Sequence, residues 1–221
     1  MQGEITLQWG GNDWILDASG ACYLPKFESL IVSDFHIGKV QHFRKHGIAI
    51  PTAAARANMG KLDGVLAKYR PKQLLFLGDL FHSDLNSEIG LLQQLRQVQA
   101  DLKILLVPGN HDRQTLSLHA GLFEVTAEQY EMGGMIFQHH PPEGTIALPT
   151  IHGHWHPAVS IKSGGRQRLR LACFAFSEQT AVLPAFGLFT GKADLPSVPA
   201  WKQLAVLSKE GIQLLPASLL R

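Results

Sequence analysis

Three short apolar runs, Leu30-Ile31-Val32, Gln73 to Leu77 and Lys103 to Val107, each end abruptly and hand over to polar residues, at Ser33-Asp34, Gly78-Asp79 and Pro108-Gly109-Asn110. The stretches between them have helical spacing. Thr52 is placed to cap a helix running to about Tyr69, with Leu62, Leu66 and Tyr69 on one face and Pro71 beyond its end, and residues Asp84 to Gln99 read as a second helix. Buried strands alternating with helices predict an α/β sandwich. Open α/β sheets gather their ligands outside the carboxyl ends of the strands. The three runs therefore deliver Asp34, Asp79 and Asn110 to one edge.

The flanking regions read as strands. Ile5, Leu7 and Trp9 alternate with polar residues, and Gly10-Gly11 marks a turn. Gln129 to Met132 and Met135 to Gln138, on either side of Gly133-Gly134, read as a hairpin. Ala147 to Ile151 leads into a histidine cluster, and Leu169 to Phe176 and Ala181 to Phe189 read as further strands, the last at an edge or bulge because of Pro184. No internal repeat or linker interrupts the 221 residues, so a single domain over 1–221 is expected.

Composition narrows the setting. The formal net charge is only +2, so any attraction to nucleic acid has to come from a local patch. Cys22 and Cys173 are far apart, match no metal or redox spacing and sit among apolar residues, which suits reduced, buried thiols. The start Met1-Gln2-Gly3-Glu4 lacks the basic and apolar segments of a signal peptide. No apolar stretch is long enough for a bilayer. The expectation is a cytoplasmic protein with no membrane partner.

Eleven histidines are many for this length, and they cluster, as metal or catalytic histidines do. In Asp34-Phe35-His36 an extended backbone points residues two apart the same way, so both side chains can reach one ion. Alone that spacing is commonplace, and Gly78-Asp79 alone is more often a turn. Gly109-Asn110-His111-Asp112 is more distinctive: Asn110 offers an oxygen to a hard metal, a histidine such as His111 can donate a proton near neutral pH, and Asp112 can orient the imidazole. Gln138-His139-His140-Pro141-Pro142 follows a strand. In His152-Gly153-His154-Trp155-His156 the same two-residue spacing places His154 and His156 on one side, with Gly153 permitting close backbone approach.

Taken in order, Asp34/His36, Gly78-Asp79, Asn110/His111/Asp112, His139 and His154/His156 resemble the calcineurin-like metallophosphoesterase family. One position departs from the common pattern: His82 stands where many relatives carry Asp or Asn. A narrower resemblance, to the ligase-associated DNA damage response endonucleases of bacteria (the PdeM group), rests on four stretches. They are Ser33-Asp34-Phe35-His36-Ile37-Gly38-Lys39 with Phe43-Arg44, Gly47-Ile48 and Pro51; Gly78-Asp79-Leu80-Phe81-His82-Ser83; His154-Trp155-His156-Pro157-Ala158-Val159; and Leu183-Pro184-Ala185-Phe186-Gly187.

The resemblance implies a sandwich of two mixed sheets flanked by helices, with two metals at the strand ends. One ion would take Asp34, His36, Asp79 and His156, the other Asp79, Asn110, His139 and His154, with Asp79 shared. The residues alone leave His139 and His140 open. Family spacing, with the ligand two residues before a proline, favours His139, leaving His140 and His152 to face the substrate or the ligands. Mixed His/Asp/Asn ligation suits manganese or iron, with zinc compatible, and family precedent favours manganese. Two ions would acidify a bridging water whose hydroxide attacks phosphorus, with His111 assisting the leaving group. His36 and His156 should then lie within about 10 Å, since metal–ligand bonds are only ~2 Å.

The substrate is less constrained. Lys39, His42, Arg44, Lys45 and His46 follow the first metal motif, and Lys162, Arg166, Arg168 and Arg170 follow the last. Such runs suit a polyanion backbone, or are ordinary solvated loops. Aromatic residues are not interleaved with them, which argues against sequence-specific reading. Three functions stay open: a DNA endonuclease acting in repair with a ligase and a helicase, a small-molecule or cyclic-nucleotide phosphoesterase, and a non-catalytic scaffold. The intact ligand set and His111 argue against the third. The oligomeric state, monomer or homo-oligomer, is also open.

Overall fold

The computed structural model describes residues 2–49, 51, 53–82, 89–113, 116, 121–162, 168–196, 200–216 and 218. Strands β1 (Glu4–Trp9) and β2 (Asn12–Asp17) form an antiparallel hairpin. Its turn residues Gly10 and Gly11 have φ of 58° and 73°, a conformation that glycine adopts without a Cβ clash. The sheet continues in sequence order through β3 (Cys22–Leu24), β4 (Ser29–Ser33), β5 (Gln73–Leu77), β6 (Lys103–Val107) and β7 (Glu124–Val125), and β4 to β7 run parallel. The three apolar runs of the sequence are the three central parallel strands.

Helices α1 (Lys39–Lys45), α2 (Ala53–Tyr69) and α3 (Ile89–Val98) lie in the connections. Side chains alternate across a strand, and both faces of this sheet are covered, so the strands are apolar throughout. Leu30, Val32, Leu74, Phe76, Ile104 and Leu106 pack against Met59, Leu62, Val65 and Leu66 of α2 and Leu92 and Leu95 of α3. Ile31, Leu75, Leu77, Leu105 and Val107 point the other way, into the core between the sheets.

The second sheet holds β8 (Gln129–Met132), β9 (Met135–Gln138), β10 (Thr150–His152), β11 (Pro157–Lys162), β12 (Arg168–Phe176), β13 (Thr180–Val182) and β14 (Ala193–Asp194), in the order β14-β11-β12-β13-β10-β9-β8. A hairpin of β15 (Gln203–Ser208) and β16 (Gly211–Pro216) adds onto β12. Met135, Phe137, Ile151, Phe174 and Phe176 face the first sheet across the shared core. Tryptophan anchors the two sheets together: Trp9 Nε1 donates to the Ser177 carbonyl at 2.8 Å, so its polar handle is satisfied in a buried place. Cys22 and Cys173 are buried free thiols.

Several elements differ from the sequence reading. Residue 52, the expected cap of α2, lies outside the described residues, as do 84–88 of the second expected helix. The basic segment read as a loop after His36 forms α1 instead, with Gly38 at φ 90° before it. The strand expected over Ala181 to Phe189 stops at Val182: Pro184 lacks the N–H a ladder needs, and the chain beyond crosses to the first sheet, where Ala185 bridges Ser33. Strands β11, β15 and β16 were not anticipated; the Gly211 turn between two apolar runs was the available signal for the last pair. Among the described residues no helix is long and apolar enough to cross a membrane.

Parallel pairing sets the polarity of the functional edge. β9 pairs parallel with β10, and β10 with β13, while β4, β5 and β6 run parallel in the facing sheet. Segments leaving the carboxyl ends of β4, β5, β6, β9 and β10 carry Asp34, Asp79, Asn110, His139 and His154 in turn.

Candidate metal centre

The chain meets at this edge with strained backbone. Among the described residues seven that are not glycine have positive φ, and five of them are Asp34 (53°), His36 (54°), Asp79 (47°), His154 (65°) and His156 (48°). Each such residue costs on the order of 1–3 kcal/mol, which persists only where the surroundings over-determine it, and such strain concentrates at functional sites.

What over-determines it is a set of close approaches. Asp34 N–H donates to the Gly78 carbonyl at 3.2 Å and His36 N–H to the Asp79 carbonyl at 2.9 Å, tying the loop after β4 to the loop after β5. The Ser33 hydroxyl lies 2.6 Å from Asp34 Oδ2 and 2.9 Å from the Leu77 carbonyl, and His154 N–H donates to the same Oδ2 at 3.1 Å. That leaves Asp34 Oδ1 facing His156 Nε2 at 3.0 Å. Asp79 Oδ1 accepts the His111 N–H at 3.0 Å, and His139 Nε2 lies 3.5 Å from it. A Cβ on Gly153 would stand 1.9 Å from Ser33 Oγ and 2.6 Å from Asp34 Oδ2, and one on Gly109 2.3 Å from Asp79 Oδ1.

Gly153→Ala is therefore expected to displace the Asp34 carboxylate and abolish cation binding there, with a far-UV circular dichroism spectrum like that of the native protein. Unchanged manganese binding in this variant would contradict the geometry.

The electrostatics point to cations. Burial pushes the Asp34 and Asp79 carboxyls up, but the bonds and positive charge of His156 and His139 outweigh it, and both are held below the ordinary carboxylate range. Burial, with Lys39 nearby, pushes His36 down to about 3, so its ring is neutral. Both nitrogens of His36 are buried without a hydrogen-bond partner among the described residues. A buried polar atom left this way costs ~1–3 kcal/mol, and a cation beside a lone pair removes that cost. The His139 Nδ1 lies 3.3 Å from the Leu77 carbonyl, to which it can donate, so a cation that replaces the Nε2 proton would find that nitrogen turned inward. There it meets His154 Nδ1 at 3.2 Å. Two imidazole nitrogens face to face suit one shared cation. Donor atoms of Asp34, His36 and His156, of Asp34, Asp79 and His139, and of His139, His140 and His154 converge closely enough to hold a metal. The residues present thus fit two divalent ions.

The remaining candidates sit as follows. The His36 and His156 ring centroids are 5.5 Å apart, inside the limit set from sequence. Asn110 is exposed in the turn after β6. His111 has a half-exposed imidazole with Nε2 3.9 Å from Asp79 Oδ2. Asp112 is buried beside His111 in the chain, and its carboxylate accepts the N–H groups of Phe81 at 3.0 Å and Gly109 at 2.8 Å. It braces the loops after β5 and β6, because a buried carboxylate takes the backbone donors closest to it. Lys39 is partly buried near Asp34 and Asp79, whereas Arg44, Lys45 and His140 are exposed. Of the second basic run, the side chains of Lys162, Arg166 and Arg168 lie outside the described residues.

Sequence reasoning assigned no role to Ser33, to the packing of Gly109, or to the Phe186-Gly187 segment. Phe186 N–H donates to the Ser33 carbonyl at 2.8 Å and Gly187 N–H to the Asp34 carbonyl at 3.1 Å. Pro184 was the signal that this stretch had left its sheet.

The calcineurin-like phosphoesterase profile matches residues 28–174. The nuclease MPE of Pseudomonas putida superposes with a TM-score of 0.79 at 31% identity, over 96% of this chain and 100% of that one. Yfce, a phosphoesterase from E. coli, gives a TM-score of 0.42 at 16% identity, over 87% of this chain and 94% of its own. Among curated protein sequences none matches.

Proposed function

The chain belongs to the calcineurin-like phosphoesterase family and is a metal-dependent phosphoric ester hydrolase, and we propose that it is a dinuclear phosphodiesterase that cuts the DNA backbone. The observation carrying the DNA reading is α1. It starts three residues after His36 and presents Lys39 partly buried beside the carboxylates, with Arg44 and Lys45 exposed at its far end. A rise of 1.5 Å per residue spreads these charges over roughly 9 Å, a length suited to a polymer rather than one phosphate. The Pseudomonas putida protein, similar over its whole length, is a nuclease.

Asp34, His36, Asp79 and His156 would hold one ion, and Asp79, Asn110, His139 and His154 the other, with Asp79 between them. The mixed donor set suits manganese or iron, with zinc compatible, and family precedent favours manganese. When bound, such a pair supplies an acidified water and neutralises phosphoryl oxygens. The chain's own groups do the rest. The Leu77 carbonyl and Ser33 hydroxyl orient His139 and Asp34. The half-exposed His111 carries the proton for the leaving oxygen. Lys39, Arg44, Lys45 and His140 bind the backbone phosphates without reading sequence. The motifs shared with ligase-associated endonucleases support a cytoplasmic role in DNA repair, beside a ligase and a helicase, for a single-domain protein.

Arg44 and Lys45 give the clean test, since Lys39 also acts on the ligands electrostatically. Changing both to Ala is expected to weaken single-stranded DNA binding and to reduce the slope of log affinity against log salt by up to about 2, roughly one per lost phosphate contact. Hydrolysis of bis-nitrophenyl phosphate with manganese should stay near the native rate. Equal losses on DNA and on the small diester would overturn the DNA reading and favour a small-molecule phosphoesterase.

A further inference from the structure

Lys61 lies on α2, outside every motif noted in the sequence. A lysine on a surface helix normally keeps its ammonium in water. Here Nζ turns inward and donates to the Phe186 carbonyl at 2.7 Å, and sits 3.9 Å from the centroid of the Phe186 ring. Burial pushes the ammonium down to about 8, with the Asp17 carboxylate opposing that shift. Retaining a lysine under that penalty calls for a reason.

The peptide group it grips supplies one. The carbonyl of Phe186 and the N–H of Gly187 belong to a single peptide unit. That N–H donates to the Asp34 carbonyl at 3.1 Å. A proton donor on one end of a peptide polarises it and strengthens the bond made at the other end. The Phe186 side chain repeats the connection: its ring lies under the ammonium and stacks on Phe35, 5.6 Å away, the residue between Asp34 and His36. One turn earlier on α2, Asn58 Oδ1 accepts the Leu188 N–H at 3.0 Å and holds the same segment from its other side. No side chain can intervene at Gly187, because a Cβ there would stand 2.6 Å from the Phe35 carbonyl. Asp34 and His36, meanwhile, hold φ values of 53° and 54° that need external support.

We infer that Lys61 is a positioning residue for the metal centre, acting through the Phe186–Gly187 peptide and the Phe186 ring to hold Asp34 and His36 in their ligating conformation. The inference rests on the reading of Asp34 and His36 as ligands of one ion. Supporting residues around metal sites typically contribute ~10–100-fold in metal affinity. The change should fall on the ion held by Asp34, His36 and His156, and spare the one held by His139 and His154.

The test is a manganese titration of the metal-free full chain, followed by electron paramagnetic resonance, for the native protein, K61M and K61R. The native protein should reach the spin-coupled signal of a manganese pair. K61M, similar in length but unable to donate, should need ~10–100-fold more manganese to reach that signal and pass first through a single-ion spectrum. K61R keeps a charged donor and should stay closer to the native titration. A K61M titration matching the native one overturns the inference. So does loss of both ions together, or K61R failing as badly as K61M, since either marks a general packing role. If K61M does not fold, K61R decides by the same comparison. A native protein that binds no manganese pair would instead overturn the metal reading itself, so the two failures are distinguishable.

Discussion

Asp79→Asn is expected to lower turnover by more than ~100-fold and to leave the protein deficient in metal, because changing residues that merely support a metal ligand already costs ~10–100-fold. Asp79 stands at the end of β5 between His139 Nε2, 3.5 Å from its Oδ1, and His111 Nε2, 3.9 Å from its Oδ2. Burial favours the neutral acid there, but the bond and charge of His139 outweigh it and keep the carboxylate ionised. Two cations in one site repel each other. At an effective dielectric of 20, a unit charge ~4 Å away is worth ~4 kcal/mol to each. An amide supplies none of that. Its remaining oxygen can still accept the His111 N–H, so the loop should hold its place and the melt of the metal-free protein should change little. Metal content by mass spectrometry, and hydrolysis of bis-nitrophenyl phosphate after chelation and reloading with manganese, give the readouts. Native turnover in the chelated and dialysed variant would remove the basis for a dinuclear mechanism.

His111→Ala is expected to keep both ions and lose ~10²–10⁴ in rate, the usual worth of a positioned general acid. The main-chain bond from residue 111 to Asp79 survives the substitution, so the loop after β6 should hold its place. The side chain sits among His36 and His82, with ring centroids 5.7 and 5.4 Å away, yet stays half open to solvent, where a substrate can reach it. A proton donor matters most when the leaving oxygen is a poor one. The loss should therefore be large for an alkyl or deoxyribose leaving group and small for nitrophenolate. A loss of the same size across leaving groups would make His111 a phosphate-binding residue.

Much of this architecture can be read along the chain because the constraints are local. The hairpin at Gly133-Gly134 has both residues at positive φ, and the sequence marks it by two glycines between alternating runs. The central parallel strands carry unbroken apolar side chains because both their faces are covered. The histidine and carboxylate positions were visible for the same reason: each follows a strand directly. Elements set by distant partners were not visible. The stretch after Pro184 looks like strand by composition, but its hydrogen bonds go to Ser33 and Asp34, some 150 residues earlier. Asp112 looks like a partner for the adjacent imidazole. That it braces Phe81 was not visible, because the Phe81 amide is brought to it only when β5 and β6 lie side by side.

The sequence by itself determined the order of elements and the inventory of donor groups, since periodicity, turn glycines and residue spacing act over a few residues. Only the tertiary structure decided which donor groups converge within a few ångströms, which carboxylate is buried and braced by backbone, and which lysine faces inward. Those outcomes depend on desolvation and on distances of 3–4 Å between groups far apart in the chain, as between Asp34 Oδ1 and His156 Nε2 at 3.0 Å or His139 Nε2 and His154 Nδ1 at 3.2 Å. Lys61 illustrates the difference. On the helix it is one of several exposed-looking cations, and its reach to the Phe186 carbonyl exists only because α2 packs beside the segment that has crossed between the sheets.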